Sequence, residues 1–182
     1  APTNVMDKWI LSRLTSVTTG VTKSFDKYDV VKGSRILIEF INQLSTWYLR
    51  QSRERLKAEK VAKEGVSSQV LGYVLVTLSQ VFAPLTPFFS ELLYHQLVDE
   101  NDSVHLSQWP EMKPHWQSAK LEKDMDQIQK VAEAAHSVRR ELSLKVRQPL
   151  AKVTVTTPFE KPDEEVLEIL EQEINVKAVE WQ

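Results

Sequence analysis

Apolar residues recur at helical spacing along most of this chain, and that period restricts it to a mainly helical architecture before any motif is considered. In the first segment Val5, Met6, Trp9, Ile10, Leu14, Val17, Val21 and Phe25 return every three or four residues, which lines them up on one face of a helix turning about 100° per residue. The spacing predicts a helix with Thr3 as N-cap, running to about Asp26. Tyr28 and Asp29 make a short break, and Asp29 caps a second helix that extends to about Glu59 with Gly33 as its weak point. Connections this short favour antiparallel neighbours. A polar loop over 59–67 leads to a third helix built on Val70, Leu71, Val74, Leu78 and Val81, with Ser67 or Ser68 as cap.

Pro84 interrupts that helix, and Thr86-Pro87 restarts it with a cap residue followed by proline in the first turn. Phe88, Phe89, Leu92, Leu93 and Leu97 then cover most of the circumference, which predicts deep burial. Residues 99–117 form a polar, proline-punctuated connection. From Ser118 to Leu142 the stripe Leu121, Met125, Ile128, Val131, Ala135, Val138 and Leu142 predicts another long amphipathic helix. After Leu144 the period changes: Val153, Val155 and Thr157 alternate with polar residues as in a strand, Pro162 to Ile174 reads as an acidic helix, and Val176 to Trp181 as a second strand. Two short strands do not make a stable sheet alone, so this tail either packs on the helices or lacks partners from a longer chain. The expected fold is mainly α, an antiparallel helical bundle over 1–144 followed by a small α/β appendage over 145–182. A chain that stops at Gln182 directly after a strand also predicts truncation.

Composition narrows the function. There is no cysteine, and four scattered histidines show no ligand spacing, so neither a disulfide framework nor a structural zinc site is expected. No apolar run reaches the length that spans a bilayer, and the chain reads as a cytosolic protein with no membrane partner. Only four glycines are present, with no phosphate-binding loop among them. The net charge of −2 conceals a segregated distribution: residues 1–60 carry +5, 61–135 carry −5, 136–152 carry +4 and 153–182 carry −6. A chain arranged this way can present a basic face despite its near-neutral total; opposite segments attracting one another within the fold would give the same pattern.

The stretch from Trp47 to Lys57 sorts its residues most sharply. Leu37, Phe40, Ile41, Leu44 and Tyr48 share an apolar stripe, while Arg50, Arg53 and Lys57 gather on another, with Trp47 between them. Three adjacent cations suit a phosphate backbone, and an indole at their border suits an unpaired base. Core packing of Trp47 and local pairing of Lys57 with Glu54 account for the same residues. Gln43 and Gln51 are candidate readers of base edges. Trp9 is assigned to the core, Arg13 either to a buried pair or to a phosphate, and Arg139 and Arg140 to solvated charge or RNA contact. Lys145, Arg147 and Gln148 form a second basic element, suited either to RNA or to holding the acidic tail.

Six stretches carry a family resemblance. Asn4-Val5-Met6-Asp7-Lys8-Trp9-Ile10-Leu11-Ser12-Arg13-Leu14, Trp47-Tyr48-Leu49-Arg50-Gln51-Ser52-Arg53 and Leu85-Thr86-Pro87-Phe88-Phe89-Ser90-Glu91 resemble the C-terminal helical bundle of class I aminoacyl-tRNA synthetases. Ser103-Val104-His105-Leu106-Ser107-Gln108-Trp109-Pro110, Lys145-Val146-Arg147-Gln148-Pro149-Leu150 and Ile174-Asn175-Val176-Lys177-Ala178-Val179 are similar to the isoleucyl branch. Gln51 departs from relatives that often carry a second basic residue after Arg50.

The resemblance implies an anticodon-binding domain of an isoleucine–tRNA ligase, with the anticodon stem-loop of tRNA(Ile) and the catalytic and editing domains of the same longer protein as partners. ATP and magnesium are implied for that longer protein and no cofactor for this stretch, in which the family's His-Ile-Gly-His-like and Lys-Met-Ser-Lys-Ser-like signatures do not occur. No catalytic residue is expected here. The expected nucleic-acid-binding residues are Trp47, Arg50, Arg53, Lys57, Lys145, Arg147 and Gln148. The competing reading is a helical protein-interaction or interdomain scaffold that does not itself touch an anticodon.

Overall fold

In the computed structural model, which describes residues 2–62, 65–99 and 101–182, helices dominate and the chain divides into two compact units, 1–118 and 119–182. The first unit is a set of helices joined by short turns: α1 (Val5–Phe25), α2 (Val30–Gln43), α3 (Leu49–Ala62), α4 (Val66–Phe82) and α5 (Pro87–Leu97). Short 3-10 turns at Val104–Leu106 and Pro114–Trp116 punctuate the polar connection that follows. The second unit holds α6 (Ala119–Glu141), β1 (Val153–Val155), α7 (Glu164–Ile174) and β2 (Val179–Trp181).

The centre of the first unit is α1, whose Trp9, Ile10, Leu14 and Val21 are sealed from solvent together with Leu37, Phe40 and Tyr48. It packs on α2 and α4. Its N-cap is Asn4 rather than Thr3, because the Asn4 side chain accepts the Met6 N–H. Asp29 caps α2 as expected, accepting from Lys32 N at 3.0 Å. Gly33 is a requirement of packing: a Cβ there would meet the Phe25 ring at 2.5 Å.

The expected single helix from Asp29 to Glu59 is interrupted by a π-helical turn at Leu44–Tyr48, in which Leu49 N–H reaches back to Leu44 O. A π turn inserts one extra residue between bonded groups, so everything beyond it is rotated relative to an unbroken α-helix. Beyond it Tyr48, Ser52 and Arg55 continue the inward line of Leu37, Phe40 and Leu44. On this line a buried polar cluster joins α1, α3 and α4. The Asp7 carboxylate accepts from Tyr48 Oη at 2.9 Å, from Ser67 Oγ at 3.2 Å, and from Arg55 through Nη1 at 2.9 Å and Nη2 at 3.2 Å. Arg55 also donates to Ser52 Oγ and Ser67 Oγ. Burial and the Asp7 carboxylate push the Tyr48 hydroxyl well above the usual tyrosine range, so it stays a donor.

Neither Ser67 nor Ser68 caps α4. Glu59 of the preceding helix does so, accepting from Ser67 N at 3.1 Å and Ser68 N at 2.7 Å. Gly65 lies so close to the Glu59 carboxylate that a Cβ would collide with it. Positions 63 and 64 of the expected loop lie outside the described residues. The anticipated burial of α5 is overturned: Phe88, Phe89 and Leu92 are 91%, 62% and 61% exposed. Only Ser90 of this helix is fully enclosed; the rest of its apolar circumference exceeds what α4 and the short turn at Val104–Leu106 can cover.

In the second unit β1 and β2 pair in parallel, with Val153 opposite Val179 and Val155 opposite Trp181. The crossover helix α7 buries Val166, Leu167, Ile169, Leu170 and Ile174, and packs on α6, which buries Met125, Ile128 and Ala132. The strands thus pair with one another and lean on α7, which in turn packs on α6.

Asp7→Ala strips the partly buried Arg55 of its counter-ion and leaves the Tyr48 hydroxyl without its carboxylate, and a loss of about 1–3 kcal/mol is expected, read as a lower urea midpoint in chemical denaturation. Glu59 gives a pH signature. Burial pushes its carboxyl up, but the hydrogen bonds from Ser68 and Ser67 outweigh this and hold it below the usual carboxylate range. A depressed folded value stabilises above the unfolded value of about 4.3 and the effect fades as pH falls through the folded one. Glu59→Gln is therefore expected to melt at a lower temperature than the parent at pH 7, with the two melting curves converging in acid.

Candidate nucleic-acid interface

Helix α3 has two faces of different character. Tyr48, Ser52, Arg55 and Glu59 turn toward Asp7 and the start of α4, each held by the bonds described above. Roughly opposite, at about 100° per residue, Leu49, Arg50, Arg53, Leu56, Lys57 and Lys60 line an open groove. Arg50, Arg53, Lys57 and Lys60 are exposed. Lys57 donates to Glu54 at 2.8 Å, and that bond holds the Glu54 carboxyl below the usual carboxylate pKa. Local pairing of Lys57 is therefore present, in a solvent-exposed form that a phosphate can exchange.

Trp47 sits in the π turn and is half-buried, with the Arg50 guanidinium 5.7 Å from its ring centroid. Gln43 is enclosed and accepts from Arg13 Nε at 3.0 Å, so it is spoken for as a base reader. Arg13 also stands 3.9 Å from Glu39, which places it in a partly buried pair. Trp9 is in the core with no exposure.

The second basic element is organised by a residue that sequence reasoning treated as surface charge. Arg139 is 3% exposed and donates to four main-chain carbonyls: Nη1 to Lys145 O at 3.1 Å and Gln148 O at 3.0 Å, Nη2 to Ile174 O at 2.8 Å and Asn175 O at 3.1 Å. A planar fork with five donors is suited to this task. Asn175, in the left-handed conformation that ends α7, adds a bond from Nδ2 to Val146 O at 3.0 Å. Main-chain bonds from Leu150 N to Asn175 O and from Lys177 N to Leu150 O close the junction. The segment 145–148 is thereby fixed through its backbone, while the side chains of Lys145, Arg147 and Gln148 all stand exposed. Neither Lys145 nor Arg147 has an ion-pair partner among the described residues; the tail is held by Arg139 and by Lys120, which pairs with Asp124 and Asp163.

Residues 7–155 match the family described as the anticodon-binding domain of tRNA ligases. The chain belongs to that family. Among curated relatives, an isoleucine–tRNA ligase of Deinococcus radiodurans is 38% identical over 181 residues, covering 96% of this chain and 16% of the relative. Isoleucine–tRNA ligases of Methanopyrus kandleri and Clostridium tetani are 38% and 34% identical over 96% and 97% of this chain. The chain spans 16% to 17% of the length of these three relatives.

Within this anticodon-binding-type chain, sequence reasoning overlooked Arg55, Arg139 and Lys60. Arg55 was in plain view inside a basic stretch, and its place two turns beyond Tyr48 on the apolar stripe (i+7) was a readable sign that it points inward. Arg139 shares the helical wheel position of Ala132 and Met125 (i−7 and i−14), and an arginine in that line was a readable sign of burial.

Arg139→Lys keeps the charge but loses the fork that spans two pairs of carbonyls. It is expected to raise amide hydrogen exchange at Gln148, Leu150 and Val176 at least tenfold, measured by NMR, while amides of α1 stay protected.

Proposed function

We propose that this chain is the anticodon-binding part of an isoleucine–tRNA ligase and that it grips the anticodon stem-loop of an isoleucine tRNA. The outward cationic face of α3, in a chain whose family is named for anticodon binding, carries this reading. Arg50, Arg53 and Lys57 supply phosphate contacts with Trp47 beside them, and the backbone-braced loop presents Lys145, Arg147 and Gln148 as a second contact. Phosphate contacts fix register and base contacts read sequence; the cations do the first and Gln148 is equipped for the second. The division into a binding bundle over 1–144 and an appendage over 145–182 belongs to the same proposal.

In this reading the aminoacylation of the tRNA belongs to the longer protein, together with its catalytic and editing domains. Among the described residues no cluster of three metal-ligating side chains exists, and the residues here do not fit an ATP–magnesium site, so no step is derived through either. No single helix among the described residues is long and apolar enough to cross a membrane.

One observation favours a second reading, that of an interdomain scaffold: the exposed Phe88, Phe89 and Leu92 of α5 form an apolar surface that RNA phosphates do not need. The two readings separate in a filter-binding titration with an isoleucine tRNA stem-loop. Under the RNA reading, the logarithm of affinity falls linearly with the logarithm of salt, and Arg50→Ala plus Arg53→Ala weakens binding by about tenfold or more and flattens the slope. Parent-like binding by that double variant removes α3 from the interface.

A further inference from the structure

Resting on the reading of this chain as part of a longer protein, we infer that the free edge of β1 receives one more β-strand. The added strand is an extended segment of that longer protein, apolar at every second position, and it fills the groove between β1 and α6.

β1 is paired on one side only. In a parallel ladder alternate residues of a strand bond the neighbour. Val153 N bonds Ala178 O, Val155 O accepts from Gln182 N, and Thr157 N bonds Gln182 O. The N–H and C=O groups of Thr154 and Thr156 therefore point away from β2, and among the described residues they meet no main-chain partner. From Val153 to Thr157 every residue is β-branched and none is charged. Edges that remain uncovered are commonly guarded by lysine or proline, and this stretch holds neither.

Beside that edge lies an open groove of about 520 Å³, wholly within the second unit. Consecutive residues from Val153 to Thr157 line it, as the edge of a strand does, whereas a sheet face would contribute alternate ones. The opposite wall is the helical line Val131, Ala135, Val138 and Leu142, of which Val138 and Leu142 stand exposed. That wall runs about 17 Å at about 1.5 Å per residue, the length of about five residues of strand.

The unpaired edge decides what kind of segment fits. A helix laid in the groove would cover Thr154 and Thr156 with apolar surface and leave their main-chain groups unbonded, at a cost comparable to lost hydrogen bonds. An extended segment bonds them. The sheet has a polar face, where Glu180 accepts from Lys152 at 2.8 Å and from Thr154 at 3.5 Å, and an apolar one with Val153 and Val155. A third strand that continues both faces sends alternate apolar side chains toward α6. Its source is in cis: this chain covers only 16% to 17% of three relatives, and a tethered segment has an effective concentration that a separate peptide lacks.

The test compares amide hydrogen exchange in the full-length protein and in this 182-residue chain, read by mass spectrometry at single amides of 151–158. Thr154 and Thr156 N–H are expected to exchange about a hundredfold more slowly in the full-length protein, while Val153, Val155 and Thr157 are slow in both. Val138→Cys places a thiol in the groove of a chain that otherwise has none; it is expected to alkylate promptly in the 182-residue chain and slowly in the full-length protein. Thr154→Pro removes an outward N–H and spares the ladder to β2, which an edge strand permits. In the full-length protein it is expected to speed exchange at Thr156 about tenfold or more, with Val155 and Thr157 as slow as in the parent. Should proline distort β1, seen as fast exchange at Val155 and Thr157, Val138→Glu replaces it: this charges an exposed wall and is expected to free Thr154 and Thr156 in the same way. The inference is overturned if Thr154 and Thr156 exchange alike in the two proteins, or if the thiol is shielded while those amides stay fast, as under a helix. It is also overturned if those amides slow in the 182-residue chain as its concentration rises, which would make the cover a second copy. RNA takes no part in this measurement, so parent-like stem-loop binding by Arg50→Ala plus Arg53→Ala would strike the function proposed above and leave the exchange pattern as it is.

Discussion

A carboxylate with almost no access to water sets the geometry of the first unit. Asp7 is 1% exposed, and a charge in that position persists only when fully paired and hydrogen-bonded. Tyr48, Arg55 and Ser67 meet that demand from three different stretches of chain, so the rotation of α3 about its axis and the start of α4 are both tied to one side chain of α1. The outward direction of Arg50, Arg53 and Lys57 follows from the inward direction of Tyr48 and Arg55. A binding face made of long flexible cations is thereby mounted on a helix whose azimuth is fixed by a partly buried, bidentate ion pair.

Helix existence was legible because the apolar period of α1, α2 and α6 is strong. The π turn was not, because nothing in Leu44-Ser45-Thr46-Trp47-Tyr48 announces an i to i+5 bond. Arg55 shares the stripe of Leu37 and Tyr48 by spacing alone, but its partner Asp7 lies on α1, and a pairing across helices leaves no mark in the spacing. The cap of α4 was missed for a related reason: a Glu59 carboxylate from the previous helix replaced the local serine, and pairings across a loop leave no spacing signature. On α5, hydrophobicity was read as burial, but Phe88 and Leu92 show that an apolar helix face can remain open in the unit that carries it.

The basic loop illustrates how a site and its support differ in legibility. Lys145, Arg147 and Gln148 were visible as charge and polarity on a polar turn. The arginine that fixes their backbone was visible only as one more charge in a basic segment. Sequence patterns report side chains, whereas Arg139 acts on carbonyl oxygens, which every residue possesses and no residue type advertises. Its four partners belong to two of the three stretches that are similar to the isoleucyl branch, and the fold brings those two into one hydrogen-bonded junction.

That junction also implies an order of events during folding. Two of the carbonyls bound by Arg139 lie 6 and 9 residues away along the chain, and the other two lie 35 and 36 away. Closing a short loop costs little entropy and is fast, whereas the distant pair must wait until α7 has returned the chain to α6. The near carbonyls alone leave the guanidinium half satisfied, and the far pair is available only where α7 has brought the chain back to α6. One side chain therefore makes a local turn and a distant crossover energetically interdependent.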